Sequence, residues 1–113
     1  MKLIGARLID GSGAAPIENA TLILNERVQD IAPDDRLADF PDPVTLDLAG
    51  RTLIPGLINA HVHLTFDDGA PDPFKALRDE PPAVTAIRAA SRARRMLEAG
   101  ITTARDLGGV NYI

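Results

Sequence analysis

Apolar residues in the first half of the chain fall in short broken runs, and in the second half in one continuous run and one helical stripe. Residues 2–9 read as a strand carrying Leu3, Ile4, Leu8 and Ile9. It is closed by Asp10-Gly11-Ser12-Gly13, where aspartate and glycine favour a turn. Ala20-Thr21-Leu22-Ile23-Leu24 and Val28-Gln29-Asp30-Ile31 read as two further strands, joined through Asn25-Glu26-Arg27 as a hairpin. Glu26 resists positive φ, so the turn type stays open. Residues 33–43 hold three prolines and four aspartates and read as a surface loop. Thr45-Leu46-Asp47-Leu48 and Arg51-Thr52-Leu53-Ile54 read as short strands around an Ala49-Gly50 turn. This density of strands predicts a small antiparallel β unit over residues 1–54.

The pattern changes at Pro55-Gly56, where proline disfavours helix in the preceding residue and glycine permits a change of direction. Residues 57–64 form the continuous run expected of a parallel strand covered on both faces. A loop over 65–80 follows, with Asp67, Asp68 and Gly69, and with Asp72-Pro73 able to start a short helix over 74–77. Residues 82–99 read as the clearest helix. Asp79 or Glu80 is placed to serve its N-terminal end, and Gly100 to cap its C-terminal end. Ala86, Ala90, Ala93 and Leu97, flanked by Ile87 and Met96, predict its inward face, and Arg88, Arg92 and Arg95 its solvated one. Ile101-Thr102-Thr103-Ala104-Arg105 then reads as a second parallel strand, completing a β-α-β unit expected to be right-handed. Asp106 falls at the end of that strand, as an outer group near a site or as a cap or loop-fixing carboxylate.

His61 and His63, the only two histidines in the chain, sit two positions apart in the apolar run. In a strand, residues i and i+2 face the same way, with Cα atoms roughly 6.5–7 Å apart. Two readings fit. Both rings could be core groups, but that requires partners for four ring nitrogens. Alternatively, both lean toward one metal ion at Zn–N distances of about 2.0–2.1 Å. Imidazole suits zinc, copper, iron and nickel, so ligand type does not choose the metal.

Composition narrows the function classes. Of 113 residues, 45% are hydrophobic and 25% charged, which is globular rather than disordered. A net charge of −4 and only 4% aromatic residues argue against nucleic-acid binding. Without cysteine there is no disulfide or thiolate site. No apolar run reaches membrane-spanning length and no secretory leader pattern opens the chain, so the cytoplasm is the expected location.

The block Gly50-Arg51-Thr52-Leu53-Ile54-Pro55-Gly56-Leu57-Ile58-Asn59-Ala60-His61-Val62-His63-Leu64 resembles the first barrel strand of the amidohydrolase superfamily of metal-dependent hydrolases. The opening Gly5-Ala6-Arg7-Leu8-Ile9-Asp10-Gly11 and the stretch from Leu97 to Gly108 are similar to its imidazolonepropionase-like and prolidase-like branch. The resemblance implies an α/β architecture: an N-terminal β domain over 1–54, part of a composite β-sandwich, and the first two strands of a (β/α)8 barrel over 55–113. Such a barrel needs about 250 residues, so the chain is expected to be an N-terminal portion, inactive alone. Asn59 stands where the family often has Asp.

The resemblance further implies His61 and His63 as metal ligands. It also implies one or two divalent ions, usually zinc, and hydrolysis of an amide, cyclic amide or dipeptide-like C–N bond by metal-activated water. The remaining ligands and the general base of the family come from later strands and match no position here. The expected partners are a small-molecule substrate of the complete enzyme and, for the open barrel edge, self-association or a complementing chain. Two other readings are carried beside this one: a stand-alone metal-binding or interaction module, and a structural subunit completed by another polypeptide.

Overall fold

Three antiparallel strands form the centre of the N-terminal unit: β1 (Lys2–Leu8), β2 (Ile17–Leu24) and β3 (Val28–Pro33). The computed structural model describes residues 1–33, 36–37, 39–41, 43–66 and 69–109. Leu3 pairs with Leu22 across β1–β2, and Leu22 with Ile31 across β2–β3. The hairpin turn uses no left-handed residue at Glu26. Instead the Asn25 side chain accepts the Arg27 N–H at 3.1 Å, and the Arg27 carbonyl accepts the Asn25 N–H at 3.1 Å. An asparagine side chain mimicking a backbone turn shapes the connection without a residue at positive φ.

Antiparallel pairing, expected throughout this unit, holds for β1, β2 and β3. Two further strands, β4 (Thr45–Asp47) and β5 (Thr52–Leu53), instead run parallel to β1 along its other edge. The long connection after β3 permits this, because parallel neighbours require a crossover that a tight turn cannot supply. The Leu48 N–H donates to the Ile4 carbonyl at 2.8 Å and the Arg7 N–H to the Arg51 carbonyl at 2.9 Å, so the two short strands share one edge in sequence. The core is Leu3, Leu8, Ala20 and Leu22, flanked by Ile17, Leu24, Leu48 and Leu53.

The chain divides into two units, Met1–Pro55 and Gly56–Ile113. The second contains β6 (Leu57–Val62), α1 (Pro73–Asp79), α2 (Pro82–Glu98) and β7 (Ile101–Asp106). β6 and β7 are parallel, with Leu57 opposite Ile101 and Val62 opposite Asp106. A mixed α/β fold follows, in which one β-α-β unit succeeds a β unit. Gly56 has no positive φ. Its need is close approach, since a Cβ there would run into the side chain of Thr102 on β7.

Helix α1 starts where Asp72 accepts the Lys75 N–H at 2.9 Å, with Pro73 at the first position, and it runs past 77 to Asp79. The start of α2 differs from expectation. Pro81 precedes it without a side-chain cap. Glu80 instead accepts the Thr85 hydroxyl at 2.8 Å and pairs with Arg88. The helix ends at Glu98 with Ala99 at its C-cap, one residue earlier than expected, and Gly100 follows that cap at φ +87.

The inward face of α2 matches expectation in part. Ala86, Ala93 and Met96 are half-buried as expected, but Thr85 and Ala89 are buried and Arg92 half-buried, whereas Ile87, Ala90 and Leu97 are exposed. A polar residue tolerates burial when it is hydrogen-bonded, and Thr85 and Arg92 both have partners. The continuous run of β6 is likewise not covered on both faces: Ile58 is 74% exposed and Leu57 49%. With two strands and one packed helix, only part of the surface finds a neighbour within this unit.

Candidate metal centre

β6 ends at Val62, so His61 is the next-to-last residue of the strand and His63 the first beyond it. Both rings therefore project near the C-terminal end of β6, His61 exposed and His63 half-buried. Their centroids lie 5.4 Å apart with the planes at 69°. Two imidazoles on one tetrahedral zinc, at Zn–N of about 2.0–2.1 Å, have ring centres roughly 5 Å apart. The separation fits such a pair. Among the described residues no cluster of three His, Cys, Asp or Glu side chains is poised for a metal. A catalytic zinc typically takes three protein ligands, so two imidazoles alone would make an incomplete set. Asp67 and Asp68, considered as further carboxylates, lie outside the described residues.

The two rings are held differently. His63 Nδ1 lies 2.8 Å from the Gly108 carbonyl oxygen, and its face stacks on Phe66 with centroids 4.6 Å apart. Phe66 meets Phe74 of α1 edge-on at 5.2 Å, which links the ring stack to that helix. Among the described residues, His61 has no hydrogen bond to its ring, but Asn59 Oδ1 accepts its backbone N–H at 3.1 Å. Asn59 thus acts on the strand backbone of His61 and not on a ring.

The segment after His63 is pinned from both neighbouring elements. Asp106 Oδ2 accepts the Leu64 N–H at 3.1 Å, and Asp106 Oδ1 accepts the Gly108 N–H at 2.8 Å. Arg92 of α2 donates to the Leu64 carbonyl at 3.0 Å. Of the roles open to Asp106, the hydrogen bonds are those of a carboxylate fixing a loop. Arg92, expected on the solvated stripe, turns inward to this loop. Gly108, Leu64, Arg92 and Phe66 were not singled out by sequence reasoning as neighbours of the histidines. Their contributions are largely backbone atoms or a ring face, which leave no residue-type signal; only Arg92 offered one, and helical periodicity pointed it outward.

Comparison with known proteins places these features in a wider frame. Residues 52–113 match the amidohydrolase family. The chain is 31% identical over 108 residues to imidazolonepropionase of Klebsiella pneumoniae (strain 342), covering 75% of this chain and 26% of that protein. It is 39% identical over 75 residues to 5-methylthioadenosine/S-adenosylhomocysteine deaminase of Syntrophobacter fumaroxidans (strain DSM 10017 / MPOB), covering 66% of this chain and 16% of that protein. Among solved structures it is similar to a prolidase crystallised with N-methylphosphonate-L-proline. That match has 28% identity and a TM-score of 0.81, over 95% of this chain and 25% of the other. The chain therefore spans about a quarter or less of the length of these relatives.

Proposed function

The chain belongs to the amidohydrolase family, and from that premise we propose that it supplies the first two metal ligands, His61 and His63, of a hydrolase acting on C–N bonds. The observation that carries this reading is the pair of rings at the C-terminal end of β6, with centroids 5.4 Å apart. Catalytic residues of β/α barrels gather at that end of the strands. The similar proteins include a deaminase, imidazolonepropionase and enamidase and a prolidase, which supports an amide, cyclic amide or dipeptide-like C–N bond as the one hydrolysed. A divalent ion, zinc by preference, supplies acidification of water toward a pKa of about 7 and polarisation of a scissile carbonyl when bound.

The residues of this chain hold and orient; they do not move protons. His61 and His63 bind as neutral imidazoles, each through one ring nitrogen. Phe66 buttresses the His63 ring, and Asn59 steadies the strand at His61. The general base and the remaining ligands belong to parts of the barrel not present here, so the 113-residue chain alone is expected to show no turnover. Among the described residues no helix is long and apolar enough to cross a membrane, which is compatible with a cytoplasmic enzyme.

Zinc titration of the chain by calorimetry tests the reading. One zinc-binding event should be abolished by His61→Ala and by His63→Ala separately. Zinc binding untouched by both substitutions would overturn it.

A second reading has its own observation. Ile58 is 74% exposed and Ile87 72%, apolar surface on the second unit that the rest of the barrel, a complementing chain or another copy would cover. Sedimentation should then detect association that Ile58→Glu weakens. A chain that stays monomeric at every concentration and recovers no partner loses this reading.

A further inference from the structure

One carboxylate joins two segments of backbone at the end of the parallel pair. Asp106 holds the Leu64 N–H through Oδ2 and the Gly108 N–H through Oδ1. Between these contacts the Leu107 N–H reaches the Val62 carbonyl at 3.0 Å, the last rung between β6 and β7. Gly108 then adopts φ +113, a conformation open to glycine and strained for other residues. In that turn its carbonyl oxygen lies 2.8 Å from His63 Nδ1. The residue held by Asp106 Oδ1 is thus the residue whose carbonyl holds the ring.

A carbonyl only accepts. For this contact to be a hydrogen bond, Nδ1 must carry the proton, and the neutral ring then has its lone pair on Nε2. The stack on Phe66 cannot make that choice, because a ring turned over by half a revolution presents an equivalent face. The Gly108 carbonyl can.

We propose that Asp106 is a positioning residue for His63: by fixing the Gly108 turn it keeps the proton on Nδ1 and leaves Nε2 as the metal-binding nitrogen. This rests on the reading of His61 and His63 as ligands. Partners that fix the tautomer of a ligating imidazole commonly govern 10- to 100-fold of metal affinity, as an order of magnitude.

Long-range nitrogen–proton correlation spectra of the metal-free chain test the tautomer directly, with His61 as an internal reference. Wild-type His63 should show a protonated Nδ1 and a bare Nε2; the opposite assignment overturns the proposal. In Asp106→Ala the His63 pattern should move toward the other tautomer while His61 stays in place, and zinc affinity should fall about 10- to 100-fold. An unchanged His63 pattern with unchanged affinity overturns the positioning role and leaves the metal reading standing. A tautomer that responds to Asp106→Ala supports the positioning role whether or not this partial ligand set holds zinc by itself. Should Asp106→Ala fail to fold, Asp106→Asn decides. Its amide has one oxygen for the two N–H groups that the carboxylate holds, so the His63 pattern should shift part-way toward the other tautomer. A His63 pattern and zinc affinity both unchanged would overturn the positioning role.

Discussion

Arg92 Nη1 donates to the Leu64 carbonyl oxygen at 3.0 Å, tying the middle of α2 to the residue that follows His63. A charged donor on a partly buried carbonyl contributes about 1.5–3 kcal/mol. Arg92→Ala should lower unfolding free energy by about that amount, measured by urea denaturation. Because the contact ends one residue from His63, the same variant should broaden or shift the His63 ring resonances. A variant as stable as wild type with His63 unmoved would show that this bond is incidental.

Two buried threonines should respond oppositely to the same change. Thr85 is fully buried and its hydroxyl donates to Glu80 Oε2 at 2.8 Å. Thr85→Val removes that bond from a carboxylate that is itself largely covered, and should cost about 1–2 kcal/mol. Thr65 is 4% exposed and its hydroxyl has no hydrogen-bond partner among the described residues. Thr65→Val replaces an unpaired polar atom with a methyl group of similar size, and should be neutral or stabilising by up to about 1 kcal/mol. Denaturation midpoints of the two variants displaced in the same direction would refute the assignment of partners.

Gly56→Ala should destabilise the second unit. The added methyl meets the Oγ1, Cγ2 and Cβ atoms of Thr102, and overpacking of this kind costs about 1–3 kcal/mol. The double variant with Thr102→Ala should recover only part of the loss, because the Cβ of residue 102 still crowds the new methyl. Full additivity of the two single changes would show that the residues do not meet.

The pH dependence of α1 has a defined sign. Asp79 is held below its ordinary value of 3.8, first by the hydrogen bond from Lys75 and then by that cation's charge. A depressed carboxylate favours the folded state above its unfolded pKa, and the contribution disappears as pH falls through the lowered value. Lys75→Ala should return Asp79 toward 3.8, read by carboxyl NMR titration. Asp10, held low by the hydroxyl and N–H of Ser12, should not move. An Asp79 titration identical in both proteins would contradict the pairing.

Local chemistry decided much of this protein before any packing. The short apolar runs in 2–9 and 20–31 and the breaks between them determined a hairpin-centred sheet, Asp72-Pro73 determined where α1 begins, and the His-x-His spacing placed two imidazoles at one strand end. These follow from short-range rules of side-chain direction, turn preference and helix capping, which neighbouring residues carry by themselves. Only the tertiary structure decided that β4 and β5 lie parallel to β1, that α2 turns Thr85 and Arg92 inward in place of Ala90 and Leu97, and that Gly108 reaches His63. Each of those depends on which backbone carbonyl or carboxylate comes within hydrogen-bonding distance across the fold. A residue 45 positions away offers the sequence no pattern by which that meeting could be read.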